Sequence, residues 1–98
     1  MNLIKLKEKV KFHEQFRPQI LCASPDVKAP LICMKAGQEI PVHPSGTGIF
    51  YVLEGKGIMY LDGEEISLSK GKVVVAPEGS ERGIKGIEKL VAVAVHIS

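Results

Sequence analysis

The sequence predicts a single all-β domain, a sandwich or a barrel closed from two sheets. Three observations carry this reading. Ten glycines and six prolines are spread along the 98 residues instead of clustered, as in a chain of short elements joined by tight turns. Short segments that alternate, or that are rich in β-branched and aromatic residues, follow one another with turn signals between them. No stretch of ten or more residues shows the i, i+3, i+4, i+7 spacing of an amphipathic helix. A chain of this length makes one domain and buries roughly two thirds of its unfolded surface.

The elements can be justified in order. Lysines 5, 7, 9 and 11 alternate with Ile4, Leu6, Glu8, Val10 and Phe12, the two-residue period of an edge strand with one wet face. Residues 1–18 are thus expected to form an N-terminal strand or arm, and residues 19–98 the barrel. Residues 19–24 and 31–36 are short apolar segments flanking Pro25, Asp26 and Pro30. Paired as a hairpin, they would set Cys22 opposite Cys33, either as two small buried hydrophobes or as a cross-strand thiol pair. Residues 39–43 follow Gly37 and are interrupted by Pro41 and Pro44. Residues 49–53 read as a strand that ends at Glu54-Gly55-Lys56-Gly57.

The clearest local signal is Asp62-Gly63 between two alternating segments, a type I′ hairpin whose two central residues both need positive φ. Ser69-Lys70-Gly71 makes the next turn. Residues 72–76 form a short strand stopped by Pro77, and residues 82–87 a further one. Residues 89–97 close the chain as a strand that is apolar on both faces.

Composition excludes several functions. Hydrophobic residues make up 45% and charged residues 24%, a globular balance, and a net charge of +2 argues against nucleic acid. The lysine run lacks the aromatic and arginine neighbours of a phosphate-binding arm. No signal peptide is read, because charge begins at Lys5 with no apolar core after it. The longest apolar run, residues 90–95, is far short of a membrane span. Two cysteines make no disulfide framework, so a cytoplasmic protein with reduced thiols is expected.

Two runs carry a more specific pattern. Gly37-Gln-Glu-Ile-Pro-Val-His43-Pro-Ser45, continuing to Tyr51-Val-Leu-Glu-Gly-Lys-Gly57, resembles the first motif of the cupin superfamily: a glycine, five residues, His-x-His, three or four residues, Glu, six residues and Gly. Gly71-Lys-Val-Val-Val-Ala-Pro77-Glu-Gly79-Ser-Glu-Arg82 resembles the second: a glycine, five residues, Pro-x-Gly, two residues, His, three residues and Asn. With the Asp62-Gly63 hairpin between them, the likeness covers residues 31–95. It implies a double-stranded β-helix, the jelly-roll barrel of small single-domain cupins.

Residue by residue, the resemblance places Gly37, Gly55, Gly71, Pro77 and Gly79 on the family's turn positions. Of its metal-ligand positions, only His43 keeps an imidazole. Ser45 stands for the second histidine, Gly48 for the glutamate, Arg82 for the third histidine and Gly86 for the terminal asparagine. Arginine stays protonated and offers no lone pair. Zinc, iron or manganese needs three or four converging donors, so no metal cofactor is expected.

The resemblance implies that His43, Ser45 and Arg82 line the barrel mouth, because the matching positions point into the cavity. Phe50, Val52 and Tyr60 are candidates for its wall. Arg82 would clamp a carboxylate or phosphate, Ser45 would donate a hydrogen bond, and His43 would donate one or move a proton. The leading expectation is a metal-independent cupin binding a small anionic or sugar-like ligand. In a filled barrel, Arg82 would instead pair with Glu39, Glu54 or Glu81. The alternative is an enzyme of oxygenase or isomerase type. It would use a divalent transition metal on an atypical set including His43 and His96, or proton transfer by His43. The family further implies a homodimer, and the two-faced strand at residues 89–97 gives it a surface; a purely structural or regulatory partner role is a third reading.

Overall fold

The structure, a computed structural model, describes residues 3–98. A single 3-10 turn, Leu6–Glu8, precedes seven strands: β1 (Gln19–Ala23), β2 (Val27–Met34), β3 (Glu39–Pro44), β4 (Thr47–Leu61), β5 (Glu64–Ser69), β6 (Val73–Ala76) and β7 (Glu81–Ile97). All pairings are antiparallel.

The two longest strands bend, and each serves two sheets. The first half of β4 pairs with the last half of β7, from Gly48↔His96 to Val52↔Ala92, and also with β6. Its second half pairs with the first half of β7, from Gly57↔Gly86 to Leu61↔Arg82, and also with β5. Beyond β7, strands β2 and β1 extend the first sheet, and β3 extends the second. The result is the jelly-roll barrel that the glycine and proline spacing predicts.

Where the sequence suggested strand ends, the chain bends instead. The register of β4 shifts between Val52 and Gly57, around Gly55 at φ +79°, opposite Lys89 at φ +29°. A Cβ on Gly55 would collide with the carbonyl oxygens of Glu88 and Lys89, so only glycine lets the two strands cross there. Residues 82–87 and 89–97 are therefore one strand. The β4–β5 hairpin turns on Asp62 (φ +46°) and Gly63 (φ +85°), the type I′ geometry expected of that pair.

The interior follows strand alternation. Phe50 and Val52 on β4, Met34 on β2, and Leu90, Ala92 and Ala94 on β7 meet Met59 and Leu68 in one buried cluster. A second cluster lies on the outer face of the first sheet, where Leu31, Cys33 and Val91 are covered by Leu6, Val10 and Phe12. That contact corrects the reading of the N-terminus. Residues 5–12 form no strand; the 3-10 turn sets Leu6 and Val10 on one side, and the arm docks by side chains, with Lys89 Nζ 5.7 Å from the Phe12 ring centre. The Gln38 amide holds the arm's far end by donating to the carbonyls of His13 (2.8 Å) and Glu14 (3.0 Å).

Two further expectations are corrected. The apolar outer face at Val91 is covered by the chain's own arm, so it gives no reason for a partner subunit. The β1–β2 turn is Ser24-Pro25-Asp26, and Pro30 lies within β2, opposite Ile20. This register puts Cys22 opposite Ala29 and Cys33 opposite Val91, so the thiols do not face each other. Cys22 is exposed and Cys33 buried.

Candidate functional site

The barrel opens where its two sheets part, between the β1–β2 hairpin and β3. Among the described residues β1 pairs only with β2 and β3 only with β7, so no ladder closes that side. A cavity of about 400 Å³ fills the gap, within the range of small-molecule sites. His43, Ser45, Phe50, Arg82 and His96 all reach it.

Arg82, the second residue of β7, is the Cα partner of both His43 on β3 and Leu61 on β4. It is only 3% exposed. Nη1 donates to the Gly46 carbonyl at 2.7 Å; Nη2 donates to the Pro77 carbonyl at 2.9 Å and to Ser80 Oγ at 2.8 Å, with the Ala76 carbonyl at 3.4 Å. The guanidinium therefore ties the loop at Gly46 to the turn at residues 76–80. Both terminal nitrogens are engaged, so the free bidentate fork expected from the sequence is not available. Nε is buried with no partner.

No acid compensates this charge by contact. The ion pairs among the described residues are Lys35–Glu14, Lys56–Glu88 and Lys70–Glu54, all exposed. Arg82 thus pairs with none of Glu39, Glu54 and Glu81. Burial lowers its pKa, and the more distant charge of Asp62 partly opposes that. A guanidinium nonetheless stays protonated.

The neighbours differ in exposure. His43 is exposed at the rim, and its Nδ1 lies 2.9 Å from the Pro41 carbonyl. A carbonyl only accepts, so Nδ1 is the donor in that contact, and in the neutral ring the lone pair is on Nε2. Ser45 is half-buried beside it, its own carbonyl accepting from the Gly79 N–H at 2.8 Å. Phe50 is buried and meets the His96 ring edge-to-face at 5.6 Å. His96 Nδ1 is buried without a partner. Burial first, and then the charges of Arg82, Lys28 and His43, hold the His96 pKa below its ordinary value, which keeps the ring neutral.

Two wall candidates are placed elsewhere. Tyr60 lies on the outer face of β4, between the inward Met59 and Leu61, and does not reach the cavity. The slip arises because β4 changes register at Gly55, which reverses the parity counted from Phe50. Val52 is fully buried in the core below the cavity. His96 was legible, since it shares strand parity with the inward Ala92 and Ala94. The hairpin turn at residues 24–27, which also lines the mouth, carried no such signal.

The donors do not fit a divalent cation. Among the described residues, no three His, Cys, Asp or Glu side chains lie close enough to share an ion. A Cβ on Gly48 would come 2.9 Å from the Phe50 ring and 3.4 Å from His96 Nδ1, so those rings occupy the space a ligand from that position would need. What stands there is one rim imidazole, one buried neutral imidazole, a hydroxyl and a fixed cation, where a metal needs several converging lone pairs.

Among the described residues, no helix is long and apolar enough to cross a membrane. No curated protein matches the chain significantly. Solved structures do. An RmlC-like cupin protein from Desulfovibrio desulfuricans is 32% identical over 98% of this chain and 96% of its own, with a TM-score of 0.84. KdgF from Halomonas sp. is 26% identical over 88% of this chain and 82% of its own, with a TM-score of 0.75. A conserved protein of unknown function from Streptococcus pyogenes, 22% identical over 98% of this chain and 86% of its own, has the same fold at a TM-score of 0.88. The family model for the cupin domain matches residues 30–97, which takes in both glycine-framed runs and most of the residues lining the cavity. With its motifs, its jelly roll and this match in agreement, the chain belongs to the cupin family.

Proposed function

We propose that this protein is a metal-independent cupin that binds a small anionic ligand in the cavity beside Arg82. One observation carries the reading: a guanidinium 3% exposed lines a cavity, is desolvated, and has no carboxylate partner. An uncompensated buried charge costs several kcal/mol, of the order of its desolvation penalty. A bound anion supplies the missing counter-charge, which a neutral sugar does not. Ser45 and His96 add hydrogen-bonding groups at the same level, and Phe50 orients the His96 ring.

Titration calorimetry of chelator-treated protein tests this with small carboxylates, inorganic phosphate and neutral sugars. Anions are expected to bind and sugars not. The reading is abandoned if no anion binds, or if purified protein carries stoichiometric iron, manganese, zinc or nickel that His43→Ala loses.

His43 gives a second reading a specific basis. Its tautomer, set by the Pro41 carbonyl, leaves Nε2 as a base at the rim, the arrangement a proton-transfer enzyme would use. Solvent deuterium appearing in a bound ligand, and not in His43→Gln, would establish it.

We further propose that the protein is a homodimer, at a different surface from the one first expected. Strand β6 is a sheet edge, and exposed Val73 and Val75 adjoin exposed Tyr51 on β4. A two-fold copy would cover both the free edge and its apolar face. Sedimentation is expected to show a dimer that Val75→Lys converts to a monomer; a monomeric wild type removes the proposal.

A further inference from the structure

The cavity is layered, and the layers name the ligand more closely than charge alone. Strand registers fix the levels. His43 pairs with Arg82 in one sheet and Lys28 pairs with His96 in the other, which makes a polar level towards the mouth. Two residues further along β7 lies Ile84, opposite Ile40, and on the facing sheet Ile32 lies opposite Ala92. By strand rise that second level begins about 7 Å deeper at Ile84 and reaches about 13 Å deeper at Ile32, and it is apolar. Ile32 and Ile84 are each 2% exposed, so this end is closed.

Hydrogen-bonding capacity is also confined to the polar level. Arg82 has a buried, unpartnered N–H there at Nε, a second N–H on Nη1 that Gly46 does not use, and a single charge to balance. The other charged groups at the cavity, Asp26 and Lys28, are exposed at its rim. A phosphate dianion carries twice the charge that Arg82 can balance and asks for more donors than the N–H groups left at Nε and Nη1, because both N–H groups of Nη2 are engaged. A sugar phosphate would press hydroxyls against the isoleucines, each left without a partner.

Resting on the anion-binding reading above, we infer that the ligand is a monocarboxylate with an apolar body. The carboxylate lies level with Arg82, His96 and Ser45, and the body lies against Ile32, Ile40 and Ile84. The layered wall makes chain length, and not only charge, the determinant of affinity.

Calorimetry of the wild-type protein with acetate, butanoate and hexanoate, with hexanamide, and with phosphate tests both parts. Each methylene is expected to tighten binding about fourfold, the factor that corresponds to about 0.8 kcal/mol per buried CH₂. Hexanamide is expected to bind at least about tenfold more weakly than hexanoate, since it forfeits the charge-assisted contact. Ile40→Thr, a half-buried position, should weaken hexanoate and leave acetate unchanged. Acetate or phosphate binding as tightly as hexanoate overturns the apolar body and leaves the anion reading standing. Hexanamide equal to hexanoate overturns the anion reading, and binding by no member of the series overturns both.

Discussion

Replacing Arg82 by methionine keeps a long unbranched side chain while removing the charge and its five N–H donors. Three short hydrogen bonds vanish, to the Gly46 carbonyl (2.7 Å), Ser80 Oγ (2.8 Å) and the Pro77 carbonyl (2.9 Å). At about 1.5–3 kcal/mol for each bond to a charged group, the gross loss is about 5–9 kcal/mol. Against it stands the desolvation of the guanidinium, itself several kcal/mol, which methionine does not incur. The Pro77 carbonyl keeps a donor, because the Ser80 hydroxyl lies 2.6 Å from it. The Gly46 carbonyl has no such second side-chain donor among the described residues, an added cost of about 1–3 kcal/mol. The net expectation is a destabilisation of about 3 kcal/mol, a large share of the 5–15 kcal/mol typical of a domain. The melting temperature should fall by about 12–24 °C at this chain length. Urea unfolding followed by circular dichroism measures this directly, with an unchanged slope confirming that the unfolded state is the same. Arg82→Lys separates charge from geometry: one ammonium cannot span both loops, so it should recover less than half of the loss. A methionine variant as stable as wild type, or more stable, refutes the reasoning. It would mean that the loops stand unaided and that the buried charge is a net cost.

Glycines at two turns share a positive φ but not their surroundings, so alanine should distinguish them. Gly63→Ala has open space and should cost about 1–2 kcal/mol, whereas Gly55→Ala also overlaps two carbonyls and should cost about 3–5 kcal/mol; equal losses by urea unfolding would show that the bend yields. The arm should act as a lid on Cys33, whose thiol burial pushes up in pKa. Reaction of a thiol needs both access and its thiolate form, so deleting residues 3–12 should speed labelling by a disulfide reagent about tenfold or more. An unchanged rate would place the protection elsewhere. His96 predicts a pH dependence. Its folded pKa lies below the unfolded value of about 6.5, so between the two the unfolded chain binds more protons and stability rises with pH. The contribution is complete above about pH 7 and is lost as pH falls towards the folded pKa, with a slope of at most about 1.4 kcal/mol per unit. His96→Gln should flatten that limb; an identical slope in the variant would sink the assignment.

How much was legible in the sequence depended on what each residue type constrains. Glycine, proline and the Asp62-Gly63 pair act through backbone dihedrals, which are local, so the turns and the barrel they imply could be read directly. The bends at Gly55 and Lys89 could not. A glycine in a polar run marks a strand end as readily as a crossing, and only the facing carbonyls of Glu88 and Lys89 decide between them. The N-terminal lysines misled for a similar reason. Alternation signals one wet face, but a segment that docks across a sheet by Leu6, Val10 and Phe12 shows the same composition with no ladder.

The site divides along the same line. The resemblance was enough to expect Arg82, His43 and Ser45 at one mouth, and the register that pairs His43 with Arg82 sets all three on the cavity. What each side chain does there was not. Arg82 turned inward to four acceptors that lie 2 to 36 residues away in sequence, and Phe50 moved into the space that Gly48 leaves. These two substitutions act together. The Phe50 and His96 rings take the space beside Gly48 where a ligand side chain would stand, and the cation that replaces an imidazole would oppose a metal electrostatically. The same cation braces the two loops that frame the mouth, so anion binding and loop stability are coupled through one residue. An anion that offsets the buried charge should therefore raise the melting temperature of the wild type with the logarithm of its concentration above Kd, and should do so much less once Arg82 no longer holds Gly46.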